Sequence, residues 1–246
     1  MSVLGDELRK SIEGDVDDAP AALLPFARDA SIFTVTPSVV THPKNAEDVQ
    51  KIIEFVLAQK KKDPKAHISV TARAAGTDMT GGPLTDSIVI STTKYLNRFL
   101  ETGSDYAVVE PGMYFRDFDK ETKKKNLELP SYTASRELCA IGGMVSNNSG
   151  GEKNLKYGKT ARYLEEMDIV LSDGKVHTLK NLIGSALDTK LKEEGFEGDI
   201  YRRMSRLLTS HETLIRERTP KVEKNSAGYA LWDIGDGIRS LNLARL

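Results

Sequence analysis

Two short segments carry glycine at a density that regular secondary structure tolerates poorly. They are Arg73-Ala74-Ala75-Gly76-Thr77-Asp78-Met79-Thr80-Gly81-Gly82 and Gly142-Gly143-Met144-Val145-Ser146-Asn147-Asn148-Ser149-Gly150-Gly151. Glycine weakens helix and strand interiors, but it admits positive φ and close backbone approach. Successive N–H groups can then converge on a single anion. The Ser, Thr and Asn between the glycines add donors, so both segments suit a diphosphate. Taken singly, each also reads as an ordinary turn.

The surroundings of these segments read as alternating strands and helices. Leu4, Leu8 and Ile12 fall at helical spacing in a peripheral stretch of about residues 1–30. Residues 37–42 read as a strand closed by Pro43. Asn45 is a candidate N-cap, with Glu47 and Asp48 in the first turn. Val49, Ile52, Ile53, Val56 and Leu57 then give an amphipathic helix ending in the solvated run Lys60-Lys61-Lys62. Residues 67–72 and 87–91 read as strands, which completes a first α/β unit over 31–98. The second unit, 99–246, starts with a strand at 106–110 broken by Pro111-Gly112. A helix is expected over 114–125, with Phe115 and Phe118 on one side. A strand at 167–171, the turn Asp173-Gly174 and a strand at 175–179 form a hairpin. Asp199 is a candidate cap for a helix running through Met204, Leu207, Leu208 and Leu214.

Composition narrows the function classes. The 246 residues hold 35 Lys+Arg against 36 Asp+Glu, a net charge of −1, without the basic excess of a nucleic-acid-binding surface. No run reaches the roughly 18 apolar residues of a membrane span. The acidic start, residues 1–18, has no apolar core, so no secretory signal is expected and cytoplasm is the expected compartment. A single cysteine, Cys139, excludes an internal disulfide and a multi-cysteine metal site. No metal is expected. The sequon at Asn147-Asn148-Ser149 carries no weight without secretion.

Two familiar phosphate motifs fail on spacing. A G-x-G-x-x-G fingerprint cannot start at Gly76, because the next glycine is Gly81. Gly158-Lys159-Thr160 resembles the end of a P-loop, but Lys153 stands where its first glycine is required.

The ordered set of segments resembles the FAD-linked oxidases of the vanillyl-alcohol oxidase or PCMH type. Residues 37–43 with Glu47-Asp48-Val49 resemble their entry strand and helix. Residues 72–77 resemble the first diphosphate loop, R-G-G-G-T. Pro130-Ser131-Tyr132, 139–143, 148–151, Tyr157-Gly158-Lys159-Thr160 and 168–174 resemble the second flavin-binding stretch. Lys224 to Tyr229 extends the likeness towards the D-lactate dehydrogenase and glycolate oxidase branch. The resemblance implies an α+β, PCMH-type FAD-binding domain of two α/β subdomains clamping FAD. It implies that Arg73, Ala74, Ala75, Gly76, Thr77, Asp78, Met79 and Thr80 wrap the diphosphate. Gly142, Gly143, Asn147, Asn148 and Gly151 line the other side, Tyr157, Gly158 and Thr160 form the adjoining loop, and Ile169 meets the adenine half. It implies a small-molecule substrate, a D-2-hydroxy acid such as D-lactate or glycolate, oxidised by hydride transfer to flavin.

The departures set further expectations. Ala74 and Ala75 stand where glycines are common, so the loop backbone there should avoid positive φ. Thr77 occupies the place of a covalent-link histidine, and none of His42, His67, His177 and His211 falls in such a loop, so FAD should be non-covalent. Cys139 reads as a small packed residue. The chain reaches Leu246 without the G-S-x-G-T-L-G segment or the substrate cap domain of the branch, so catalytic residues are unassigned. A second chain completing the active site is one alternative, with this chain a non-catalytic flavin module. Another is a flavoenzyme of the same superfamily acting on an alcohol, a sugar acid or a cell-wall precursor. A nucleotide-dependent transferase using Lys159 is the third. Asp78 and Glu152 are expected to cap their loops, His177 to be structural, and Trp232 to anchor the C-terminal segment.

Overall fold

The computed structural model describes residues 2–222 and 225–246. The chain opens with helix α1 (Val3–Ser11), started by the Ser2 side chain accepting the Gly5 N–H. Strand β1 (Asp15–Asp17) and the short helix α2 (Pro20–Leu23) follow. The N-terminal stretch does not stay at the periphery. Leu8, Ile12 and Val16 are buried with residues of the first sheet, and β1 pairs antiparallel with β2 (Val39–His42).

Asn45 caps α3 (Ala46–Lys62) as its position suggested, accepting the Asp48 N–H at 2.9 Å. Ile52 and Val56 form the buried seam of this helix, whereas Leu57 is exposed. Each such aliphatic side chain contributes about 1.5–3 kcal/mol on full burial. The Asp48 carboxylate is fully buried and accepts the N–H groups of Glu13, Gly14 and Lys44 at 2.8–2.9 Å. One side chain thus fastens the N-terminal segment, the end of β2 and the start of α3.

From α3 the chain enters β3 (Val70–Arg73) and then β4 (Ile88–Ser91). The sheet order is β1-β2-β4-β3, with β2, β4 and β3 parallel. The strand expected at 67–72 is shorter at its start and runs one residue further, to Arg73.

A two-stranded ribbon follows, β5 (Phe99–Thr102) against β6 (Ala107–Val109). It packs beside helix α4 (Phe115–Lys123), and Phe115 and Phe118 are buried as expected, with Met113, Cys139 and Met144. The glycine-rich segment at 142–151 is not a loop throughout. Ile141–Ser146 forms a short helix, α5, and Asn154–Tyr157 another, α6.

The hairpin around Asp173-Gly174 is present: β7 (Glu166–Val170) pairs antiparallel with β8 (Val176–Ile183). Gly174 turns at φ 76, which an L side chain adopts only with strain. His177 on β8 lies 3.0 Å from both Asp173 and Glu197, a structural bridge between the turn and the next helical pair. That pair is α7 (Ser185–Lys192) and α8 (Phe196–Ser210). Asp199 does not cap α8. Gly195 is the N-cap at φ 98, and Asp199 lies in the first turn, paired with Arg202. Leu214 falls on a separate helix, α9 (Glu212–Arg218), because His211 ends α8. Strand β9 (Ser240–Asn242) completes the sheet β7-β8-β9. Tyr201, Leu187 and Leu241 fill the core there, with Ile234 from the C-terminal stretch. Trp232 is 38% exposed, so it anchors that stretch only in part. Lys224, the start of the segment likened to the hydroxyacid branch, lies outside the described residues.

Candidate active site: a cleft between two glycine-bearing walls

The first wall is the connection between β3 and β4. These strands are parallel neighbours, so the chain must leave the sheet after Arg73 and return alongside, which places residues 74–87 across the strand ends. Arg73 is 7% exposed and forms the floor. Its guanidinium donates to the carbonyls of Arg28, Pro25 and Phe26 at 2.7–3.3 Å. Burial pushes its pKa down, opposed by Asp29. Arg73 therefore holds residues 25–28 against the loop and has little left to give a ligand.

Gly76 folds back over that guanidinium at φ 68. A Cβ there would lie 2.3 Å from an Arg73 terminal nitrogen. Ala74 and Ala75 avoid positive φ, as alanine should. Among the described residues, none accepts a hydrogen bond from the backbone N–H groups of residues 74–78. Residues 74–78 line the cleft, so five successive amides without a described acceptor border it, and backbone amides are the kind of donor that binds an anion.

Asp78 ends the run by capping the loop. One carboxylate oxygen accepts from the Thr80 N–H, the Thr80 hydroxyl and the Gly82 N–H at 2.7–3.0 Å. The other accepts from the Asn147 side-chain amide at 3.0 Å. Burial opposes ionisation, yet these donors outweigh it and hold the Asp78 carboxyl below the usual range.

The second wall is α5 with its approach and exit. The Ile141 and Gly142 N–H groups donate to Met113 and Pro111 carbonyls at 2.9 and 2.8 Å. Gly142 must be glycine for that approach, since a Cβ would lie 2.7 Å from Pro111. This docking is why a glycine pair here starts a helix. Gly143 faces the first wall, its Cβ position 3.6 Å from the Ala74 methyl.

The exit is braced from behind. Asn148 turns at φ 41 and its side-chain oxygen accepts the Ala161 N–H at 2.9 Å. The Thr160 N–H and hydroxyl both donate to the Ser149 carbonyl, at 2.9 and 2.7 Å. Gly151 packs beneath Tyr132, whose carbonyl oxygen would lie 2.0 Å from a Cβ. Glu152 accepts from the Tyr132 hydroxyl at 2.8 Å.

Between the walls lies a cleft of about 290 Å³. Of the residues singled out by sequence, Arg73, Ala74, Ala75, Gly76, Thr77 and Asp78 line it from one side. Gly142, Gly143 and Asn147 line it from the other. Met79 and Thr80 are exposed beyond its edge. Asn148, Gly151 and Thr160 stand behind the second wall and shape it without lining it, and Gly158 turns there at φ 80. Tyr157 caps no part of the cleft; its carbonyl accepts from the Tyr163 hydroxyl. Ile169 pairs with His177 on β8 and packs into the Leu187–Tyr201 core.

The cleft also takes Thr92, Pro111, Thr133, Ser135, Cys139 and Ala140. Pro111 carried a sequence signal as a strand breaker. Cys139 is 4% exposed and its sulfur lies 3.4 Å from the Thr133 hydroxyl, which agrees with a packed residue. Arg73 and Asp78 are the charged residues of the lining, and no histidine is among them. No group of acidic, His or Cys residues placed to hold a metal occurs among the described residues. Nor is any helix there long and apolar enough to cross a membrane.

Comparison with known proteins shows the family and the fold. Residues 37–180 match the model of an FAD binding domain. D-2-hydroxyglutarate dehydrogenase of Pseudomonas putida is 26% identical over 243 residues, covering 97% of this chain and 24% of that protein. D-lactate dehydrogenase of Archaeoglobus fulgidus is 31% identical over 196 residues, covering 74% of this chain and 41% of the relative. The chain thus spans about a quarter to two fifths of these relatives. Its fold matches that of 6-hydroxy-D-nicotine oxidase from Arthrobacter nicotinovorans with a TM-score of 0.59 at 20% identity, covering 69% of this chain and 36% of the oxidase. The α+β, PCMH-type architecture expected from the motifs is therefore the one present. The chain belongs to the FAD-binding domain family, and FAD is its cofactor.

Proposed function

We propose that this chain is the flavin-holding part of a D-2-hydroxyacid dehydrogenase or oxidase, and that the cleft between 74–78 and 139–149 receives the FAD diphosphate. The observation that carries this reading is the run of five amides at residues 74–78 without a described acceptor, in the lining of the cleft that Gly143 also borders. A dianion held by backbone donors needs no excess of Lys or Arg, which suits a chain of net charge −1. Gly76 and Thr77 would be the main contacts. Residues 148, 151 and 160 would hold the facing wall, and Arg73 would act by fixing the loop. Bound FAD supplies a hydride acceptor, and the protein supplies position and electrostatics. A cleft of about 290 Å³ lies at the lower end for small-molecule sites, so it takes the diphosphate and its neighbours rather than the whole dinucleotide.

The lining offers no histidine as a base for a hydroxy acid, so groups outside this cleft would take the substrate proton. That observation also favours a second reading, in which another chain completes the active site. FAD would be non-covalent, because Thr77 stands in the loop and the Cys139 sulfur is engaged with Thr133. Purified chain should take up FAD and release all of it to the supernatant on denaturation with acid. With FAD bound, anaerobic D-2-hydroxyglutarate or D-lactate should bleach the flavin only when the remaining substrate-binding part is supplied. Flavin that remains on the acid-precipitated chain would refute the non-covalent assignment. A loaded, completed protein left oxidised by D-2-hydroxy acids but reduced by another alcohol would refute the substrate class.

A further inference from the structure

The hydrogen bond from Asn147 to Asp78 is the one side-chain hydrogen bond that joins residues 74–82 to residues 139–151 among the described residues. Gly143 faces Ala74 nearby, where an added Cβ would lie 3.6 Å from the Ala74 methyl. The two ends of the bond are anchored separately. On one side Asp78 is fixed by three donors from Thr80 and Gly82 to its second oxygen. On the other side Asn147 is the C-cap of α5, and the first turn of that helix is tied to the carbonyls of Pro111 and Met113. Because the Asp78 carboxylate is already held, forming the bond orders only the Asn147 side chain. Both residues line the cleft, and Asn147 is exposed at its edge.

We infer that Asp78 and Asn147 form a strap across the cleft, positioning residues that set the spacing of the two walls and the rate at which FAD leaves. This rests on the placement of FAD in the cleft. The Asp78 carboxylate would be turned from the diphosphate by its own four donors, so its negative charge works as a hinge pin rather than a ligand. The strap is formed without FAD, so it must open both for the dinucleotide to enter and for it to move out.

The test uses the full chain loaded with FAD and follows the gain of flavin fluorescence after rapid dilution. Asn147→Ala should raise the FAD dissociation rate about three- to tenfold, the worth of one charge-assisted hydrogen bond at an exposed site. The association rate should rise by a similar factor, because FAD enters past the same strap. Asn147→Gln, which keeps the donor, should recover part of the loss. In an Asp78→Ala background, Asn147→Ala should add nothing further. Independent, additive effects of the two substitutions would instead mean that Asn147 contacts FAD directly, and would overturn the strap. Equal dissociation rates in wild type and Asn147→Ala would overturn it as well. Wild-type chain that takes up no FAD would overturn the placement of FAD and the strap together.

Discussion

Replacing Asp48 with alanine is expected to destabilise the chain by about 2–4 kcal/mol, read as a lower urea midpoint with an unchanged slope. The carboxylate accepts the N–H groups of Glu13, Gly14 and Lys44. Hydrogen bonds to a charged group are worth about 1.5–3 kcal/mol each, and three that share one carboxylate are less than additive. Asp48→Asn is the useful control. It keeps the volume, but its amide nitrogen must face an N–H donor, so it should recover little of the loss. A fall below about 0.5 kcal/mol for Asp48→Ala would show that the three donors find water without cost. The N-terminal segment would then be a loosely attached arm.

The largest effect on the cofactor is expected from Gly76→Val. The position turns at φ 68, and a Cβ would lie 2.3 Å from the Arg73 guanidinium. A β-branched residue there is strained by about 1–3 kcal/mol. The loop relieves that strain by moving, which takes the 74–78 amides out of line. FAD should bind about 5- to 150-fold more weakly, the same range expressed as affinity. The far-UV circular dichroism should be unchanged, since residues 74–78 lie outside the strands. FAD affinity equal to wild type would mean that the loop does not hold the diphosphate. Gly143→Ala should be milder, because its Cβ would meet the Ala74 methyl at an ordinary 3.6 Å.

Much of this arrangement is legible in the sequence where a local rule acts alone. Asn45 caps α3 because a side-chain oxygen three residues before an amide suffices. The hairpin at Asp173-Gly174 follows from turn chemistry. The loop at 73–82 stands out because Gly76, Gly81 and Gly82 cluster after a strand. The rest depends on contacts that leave no local signature. Asp199 looked like a cap because acidic residues suit that place, but Gly195 reaches the required conformation at φ 98 and the helix begins earlier. Residues 142–146 looked like loop because glycine is a weak helix former. Docking of their amides on Pro111 and Met113 overrides that preference.

Arg73 shows the same limit at the site itself. Its motif suggested a cofactor contact, yet its partners are three backbone carbonyls some 45 residues away in sequence. Any residue type could present those carbonyls, so the sequence at 25–28 carries no mark of them. Thr133, Ser135 and Ala140 join the cleft for a comparable reason, because the fold of 130–140 rather than residue type brings them there.

The claim that FAD sits on the 74–78 amides is tested most directly by hydrogen–deuterium exchange of those amides with and without FAD. In the free chain no described residue accepts from them, so they should exchange near the rate of unstructured backbone. At FAD about 100-fold above its dissociation constant, their exchange should slow by about a hundredfold. Binding of FAD with residues 74–78 still exchanging at the free rate would contradict the account.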